Sequence, residues 1–293
     1  MPGLSGMLDS DALENRYLGK VVLYVESEND ANFYRQCLAI GQDEYVEFKG
    51  IPGQGGYRMA IARATEERTD NDLVFALVDG EAAAGQQGGL AVLLACDTKA
   101  FQVPGEKLDG VIFLGEHELE NILIRLSDVC RFIAHDDGLG DVGKKDPAAL
   151  RKQLAAMVDR QLAGAVCKYA SMKMTCEGNM TGALGAVFWD DPKKVTPWMV
   201  RKQVRDKGGD WKAYVAEVKA IRAEIATRLA AMTPDAAAYH RLRLADGKSI
   251  LSLLGHCYKV SKKWHGHLTM EIVGNPYFEE LRSEIYAMTR KAA

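Results

Sequence analysis

The chain lacks several of the signals that would settle its class at once. None of its six cysteines (Cys37, Cys96, Cys130, Cys167, Cys176, Cys257) stands in a CxxC pair, which argues against a zinc ribbon or a dithiol redox motif and leaves reduced thiols as the expectation. No apolar run approaches the ~18 residues of a membrane span, and the polar opening Met1 to Asn15 has no signal-peptide core. A soluble, cytoplasmic protein that does not engage a membrane is therefore expected. An excess of positive charge is missing too: the net charge is −3, so any attraction to nucleic acid has to come from a local patch. Nucleotide-binding loops are incomplete. GIPGQGG (Gly50 to Gly56) completes no GxGxxG directly after the first strand, and Gly247-Lys248-Ser249 has Leu242 where the opening glycine of a P-loop belongs.

What is present is enough apolar material, 47% of 293 residues, to bury a sizeable core. Lys20 to Val25 (KVVLYV) is a β-branched run that stops at Glu26 and leads into a helical pattern over Ala31 to Ile40. Tyr45 to Phe48 reads as a second strand, followed by a helix from Tyr57 to about Arg68. Leu73 to Val78 (LVFALV) and Gly110 to Leu114 (GVIFL) are almost wholly apolar, as buried parallel strands are. Glu116 to Leu126 repeats its leucines and isoleucine at helical spacing. Beyond the loop His135 to Asp146 the composition turns alanine-rich and charged, with helices expected over Pro147 to Ala163 and Trp211 to Met232 and breaks at Lys207 to Asp210 and Thr233 to Asp235. The fold class expected is α/β, a Rossmann-like core with a mainly parallel sheet over residues 1–135, and a mainly helical region over 136–293.

Three of these strands deliver an acid at their carboxyl end: Glu26, then Asp79 with Glu81, then Glu116, Glu118 and Glu120. In an open α/β sheet the strand carboxyl ends face one crevice, where ligands bind. Carboxylates gathered there repel one another and call for a cation, and hard oxygen ligands favour Mg²⁺ or Mn²⁺. Each acid also has a plainer reading. Asp30 fits a capping box opened by Ser27, and the acids of Glu116 to Glu120 fit the first turn of a helix, where the dipole stabilises negative charge. Glu116 is expected only to cap that helix or to lie in solvent.

These same residues carry a resemblance. VVLYVESENDANFY (Val21 to Tyr34), with Glu26 and Asp30, resembles the first Toprim signature; ALVDGE (Ala76 to Glu81) resembles the second, an apolar strand ending in Asp-x-Asp; HELEN (His117 to Asn121) is similar to the Glu-Asn element of Toprim nucleases of the overcoming-lysogenisation-defect kind. The resemblance covers roughly residues 20 to 126, with an echo at Gly247-Lys248. Ser27 stands where a glycine is usual, and Glu81 replaces the second aspartate. It extends to stand-alone Toprim-like proteins that include the nuclease subunit of the PARIS anti-phage systems. What it implies is a Toprim core and an Mg²⁺- or Mn²⁺-dependent endonuclease acting on RNA, tRNA among it, or on DNA. It also implies a toxic defence effector held inactive by an ABC-type ATPase and dimeric when active. The residues it assigns are Glu26, Asp79, Glu120 and Lys248 to catalysis, and Glu26, Asp30, Asp79, Glu81, Glu118 and Glu120 to the metal.

For nucleic acid, YKVSKKWHGH (Tyr258 to His267) sets Lys259, Lys262 and Lys263 beside Trp264, the chemistry of backbone attraction and base stacking, and reads equally as a solvated basic loop with one buried tryptophan. A rival cluster of Lys193, Lys194, Arg201, Lys202, Arg205 and Lys207 flanks Trp198 and suits nucleic acid or a protein partner. His256, His265 and His267 match no zinc spacing and are expected at the surface. Two other functions remain open: a non-catalytic module that binds a partner ATPase or nucleic acid, and an Mg²⁺-dependent phosphotransfer module, although the segment after Asp79 lacks the threonine of a haloacid-dehalogenase phosphatase.

Overall fold

A computed structural model describes residues 19–38, 45–53, 56–103, 108–135, 146–185, 195–258 and 264–290. In chain order the elements are β1 (Val21–Val25), α1 (Glu28–Cys37), β2 (Val46–Gly50), α2 (Gly56–Arg68), β3 (Val74–Val78), a 3₁₀ helix (Gly80–Gly85), α3 (Gly89–Ala95), β4 (Ala100–Phe101) and β5 (Val111–Leu114). The helices α4 (Leu119–Leu126), α5 (Val129–His135), α6 (Pro147–Cys176), α7 (Pro197–Asp206), α8 (Trp211–Ala230), α9 (Pro234–Leu244), α10 (Gly247–Tyr258), α11 (Trp264–Ile272) and α12 (Pro276–Arg290) follow. The architecture is thus an N-terminal parallel α/β sheet and a mainly helical C-terminal region. No described helix is long and apolar enough to cross a membrane.

The chain forms two compact units. The first comprises residues up to Val78, Lys99–Phe113 and Val273 onward; the second comprises Asp79–Thr98 and Leu114–Ile272. In the first, the strand order is β2-β1-β3-β5-β4, with β1 parallel to both β2 and β3, and β3 parallel to β5. β3 is buried at every residue, as the two-sided covering of a central parallel strand requires, whereas β2 at the edge keeps Glu47 and Lys49 partly in water. Aromatic packing ties helices to this sheet: Tyr34 of α1 stacks on Phe48 of β2 at 5.3 Å, and Phe33 meets Phe278 of α12 edge-on at 5.9 Å.

In the second unit α6 is the spine. Asp146 caps its first turn by accepting the amide of Ala148 at 3.1 Å, and Pro147 stands at a position where a missing amide costs nothing. Its 30 residues, about 45 Å at the α-helical rise, run on well past Ala163, because the lone Gly164 is tolerated inside a helix and no proline follows before Cys176. Small residues such as Ala165, Ala170 and Ser171 let neighbouring helices approach, and the same face buries Tyr169. The helix expected from Glu116 starts three residues later, at Leu119, and the two-residue strand β4 is too short to have left a sequence pattern.

Candidate metal centre

Two chain segments of the second unit, Asp79 to Glu81 and Gly115 to Glu118, run on from the ends of β3 and β5 and bond to each other. The amide of Gly80 donates to the carbonyl of Glu116 at 3.0 Å, and that of Glu81 to the carbonyl of His117 at 3.0 Å. Arg243, 2% exposed, braces the second segment: its guanidinium donates to the carbonyls of Gly115 (2.5 Å) and Leu93 (2.6 Å), and its own carbonyl accepts the amide of His117 at 2.5 Å. Glu81, His117 and Glu118 are thereby fixed by backbone, which is what a site of defined geometry needs.

The start of α4 adds the next layer. Glu118 is its N-cap in a reciprocal capping box with Asn121, whose Oδ1 accepts the Glu118 amide at 3.0 Å. The Nδ2 of Asn121 then donates to the carbonyls of Leu242 (2.6 Å) and Ala245 (2.9 Å), so one side chain joins the α4 start to the turn between α9 and α10. That turn carries Asp246, which caps α10 by accepting the Ser249 amide at 2.7 Å. Gly247 follows, and a methyl group there would lie 2.8 Å from the Asn121 amide nitrogen, so only glycine permits this approach. The amide of Lys248 donates to Glu118, and its Nζ lies 3.8 Å from Glu118 Oε2 and 3.9 Å from Glu120 Oε1.

His117, Glu118 and Asp246 can each offer one ligand atom, all within 4.8 Å of one another, and this group could hold a metal ion. His117 is fully buried. The hydroxyl of Tyr169 donates to the Leu244 carbonyl at 3.0 Å, so toward His117 Nδ1, 2.6 Å away, it acts as acceptor. The hydrogen-bond network thus puts a proton on Nδ1 and makes Nε2 the ring nitrogen that can serve as a metal ligand. Nε2 lies 2.9 Å from Glu81 Oε2 but out of line with it, and makes no aligned hydrogen bond. A histidine whose other nitrogen is held in this way is how proteins orient a metal ligand.

The surrounding charges fit a cation as well. Burial, with Glu120 and Asp246 nearby, pushes the Glu118 carboxyl well above the usual range, only partly offset by Lys248, so a positive ion there would be stabilising. Burial also acts on Glu81, but the ammonium of Lys168 and His117 outweigh it and hold that carboxyl well below the usual range; Lys168 is bonded directly to it. Glu81 is consequently a charged group already paired by α6. With one imidazole in the set, the donors suit Mn²⁺ and other borderline ions better than an all-oxygen site would.

The acids named in the sequence fall into four groups. Glu81, Glu118, Glu120 and Lys248 come together, joined by His117 and Asp246. Asp79 is half-buried at the head of the 3₁₀ helix, where its carbonyl accepts the Ala82 amide at 3.1 Å. Glu26 and Asp30 belong to the first unit. Glu26 is half-buried near the start of α2, where a methyl group on Gly56 would lie 3.8 Å from its Oε2, and Asp30 accepts the Ser27 hydroxyl at 2.8 Å while Ser27 Oγ accepts the Asp30 amide at 3.2 Å, so the capping geometry is present. Glu116 corrects an expectation: it is fully buried rather than solvated, paired with Arg125 at 3.0 Å and accepting the Tyr239 hydroxyl at 3.2 Å. Lys259, Lys262 and Lys263 lie outside the described residues; Trp264 is 5% exposed and packs near Phe132, which turns its ring faces inward and removes it as an open stacking platform. His256 and His267 are exposed and His265 half-buried.

Sequence reasoning passed over His117, although it lies inside the HELEN motif, and Asp246, although it immediately precedes Gly247-Lys248. Lys168 and Tyr169 sit mid-helix among alanines, with no local signal to mark them. Compared with known proteins, the chain matches no family model and no curated protein sequence.

Proposed function

We propose that this protein is a metal-dependent endonuclease of the Toprim-like kind that cleaves phosphodiester bonds of RNA, tRNA included, or of DNA. The observation that carries the reading is the largely buried group of His117, Glu118 and Asp246, whose ligand atoms lie within 4.8 Å of one another, with the 67% exposed side chain of Lys248 next to them. His117, Glu118 and Asp246 would hold Mn²⁺ or Mg²⁺, and the ion supplies an activated water and charge stabilisation at the leaving oxygen. Lys248 reaches solvent and would meet the phosphate, with Glu120 3.9 Å from its Nζ orienting it. Glu81, charged and locked to Lys168, orients His117. The motif resemblance adds Asp79 to the metal-binding or catalytic set and, within the first unit, assigns Glu26 and Asp30 a catalytic or metal-binding part of their own. On the same resemblance we propose a cytoplasmic anti-phage effector, held inactive by an ABC-type ATPase and dimeric when released.

Two measurements test this. Titration calorimetry should show Mn²⁺ binding to the wild type and none to a His117→Ala, Asp246→Asn double variant. Incubated with Mn²⁺ or Mg²⁺ and no partner, the wild type should cleave tRNA, bulk RNA or DNA, and Glu118→Gln and Glu26→Ala should each abolish cleavage. A wild type that neither binds Mn²⁺ nor cuts any of these substrates overturns the proposal. One observation favours a second reading, a non-catalytic interaction module: Lys168 and His117 already neutralise Glu81 without an ion. Absence of calorimetric heat in the wild type would select it.

A further inference from the structure

Helix α7 carries two faces of opposite character. Val200 and Val204 are buried, as the inward stripe of a short amphipathic helix should be. Trp198, Arg201, Lys202 and Arg205 follow the i, i+3, i+4, i+7 spacing of the opposite face and are all exposed. Trp198 is 69% exposed, an unusual place for the largest apolar side chain, and Met199 beside it is 36% exposed. Lys202 Nζ stands 5.8 Å from the indole centroid, in cation–π range. With Asp206 these residues line an open cleft of about 370 Å³, at the lower end of the ~300–1,000 Å³ typical of ligand sites.

The chemistry of this face selects its occupant. Three cations within about 10 Å of helix, against one carboxylate, call for an anion with charge repeated along its length. An exposed indole calls for a flat apolar partner, which an acidic peptide of aspartate and glutamate does not have. A single-stranded nucleic acid has both, a π face on every base and a charge at every phosphate. We propose that the α7 face is a binding site for single-stranded nucleic acid, in which an unpaired base stacks on Trp198 and the flanking phosphates pair with Arg201 and Arg205. The site goes beyond the metal centre and requires no metal.

The test is binding of a fluorescein-labelled single-stranded RNA 12-mer to the full chain in EDTA, so that cleavage plays no part and failure here leaves the nuclease reading standing. Trp198→Ala should weaken binding about 5- to 150-fold, the usual worth of one stacked base, and Trp198→Phe should restore most of it. Arg201→Ala with Arg205→Ala should lower the slope of log affinity against log salt by about 1.4, that of two lost single-strand phosphate contacts. Trp198 is at the surface, so circular dichroism should show both Trp198 variants folded. Unchanged affinity in Trp198→Ala overturns the proposal, as does equal binding of poly-glutamate, which would make the face a docking site for an acidic protein.

Discussion

At Gly80 a single methyl group decides whether the candidate site can form. A Cβ built there lies far inside contact distance of the Glu116 carbonyl oxygen and 2.5 Å from that of Leu114, and neither backbone atom can swing away as a side chain would. Gly80→Ala must therefore part the two segments that hold Glu81 and His117, at a cost of about 1–3 kcal/mol as for other overpacked positions, read as a lower urea midpoint with unchanged slope. A midpoint equal to that of the wild type would show that the segments are not in register. His240 gives a second prediction. Burial, then the nearby charges of Arg243 and Arg228, lower its pKa to about 4, and its Nδ1 accepts Arg243 Nε at 3.2 Å, a bond only the neutral ring can make. The folded state thus prefers the neutral ring, so stability is complete above the unfolded value of about 6.5 and is lost as pH falls from there through 4, by no more than about 3 kcal/mol. The drop in urea-derived stability between pH 7.5 and pH 5 should shrink in His240→Gln; an undiminished drop would acquit this residue.

Between the residue and the molecule stands the start of α4, where one asparagine satisfies an amide and two carbonyls from two separate turns. Asn121→Ala strands buried groups that were paired, an expected loss of about 2–4 kcal/mol. Because Asn121 also fixes Glu118 relative to the turn bearing Asp246, Mn²⁺ affinity should fall by about 10–100-fold, as for other supporting residues of metal sites. Loss of stability with intact Mn²⁺ affinity would place the ion elsewhere. This element also marks how far sequence reading reaches. The apolar runs of β1, β3 and β5 and the amphipathic stripe of α4 are local patterns, and each appears within a few residues of where periodicity puts it. The acids Glu81, Glu118 and Glu120 with Lys248 were legible because they follow strands or a Gly-Lys pair. His117's role was not, because it depends on Tyr169, 52 residues away, and on a Leu244 carbonyl 75 residues beyond that. A hydrogen-bond relay across such separations leaves no periodic trace in the chain.

At the scale of the molecule, the backbone passes between the two units four times, after Val78, Thr98, Phe113 and Ile272, so neither unit is a continuous stretch of sequence. The first unit consequently depends on α12, which arrives last in the chain. Tyr277, Phe278, Leu281 and Ile285 are buried at 5% exposure or less, Phe278 packs on Phe33, and the Glu284 carboxylate accepts the amides of Lys99 (2.9 Å) and Ala100 (2.7 Å) at the edge strand β4. At about 1.5–3 kcal/mol for each buried large apolar side chain, α12 contributes as much as the ~5–15 kcal/mol by which a typical domain is stable. A chain ending at Gly274 should therefore lose hydrogen-exchange protection across β1 and β3, while α6 of the second unit supplies the internal comparison. Phe278→Ala in the full chain tests the same contact without truncation and should cost about 3–5 kcal/mol, chiefly through the cavity left beside Phe33. If the shortened chain keeps slow exchange at Leu23 and Ala76, the sheet does not need its last helix, and the assignment of α12 to the first unit fails with it.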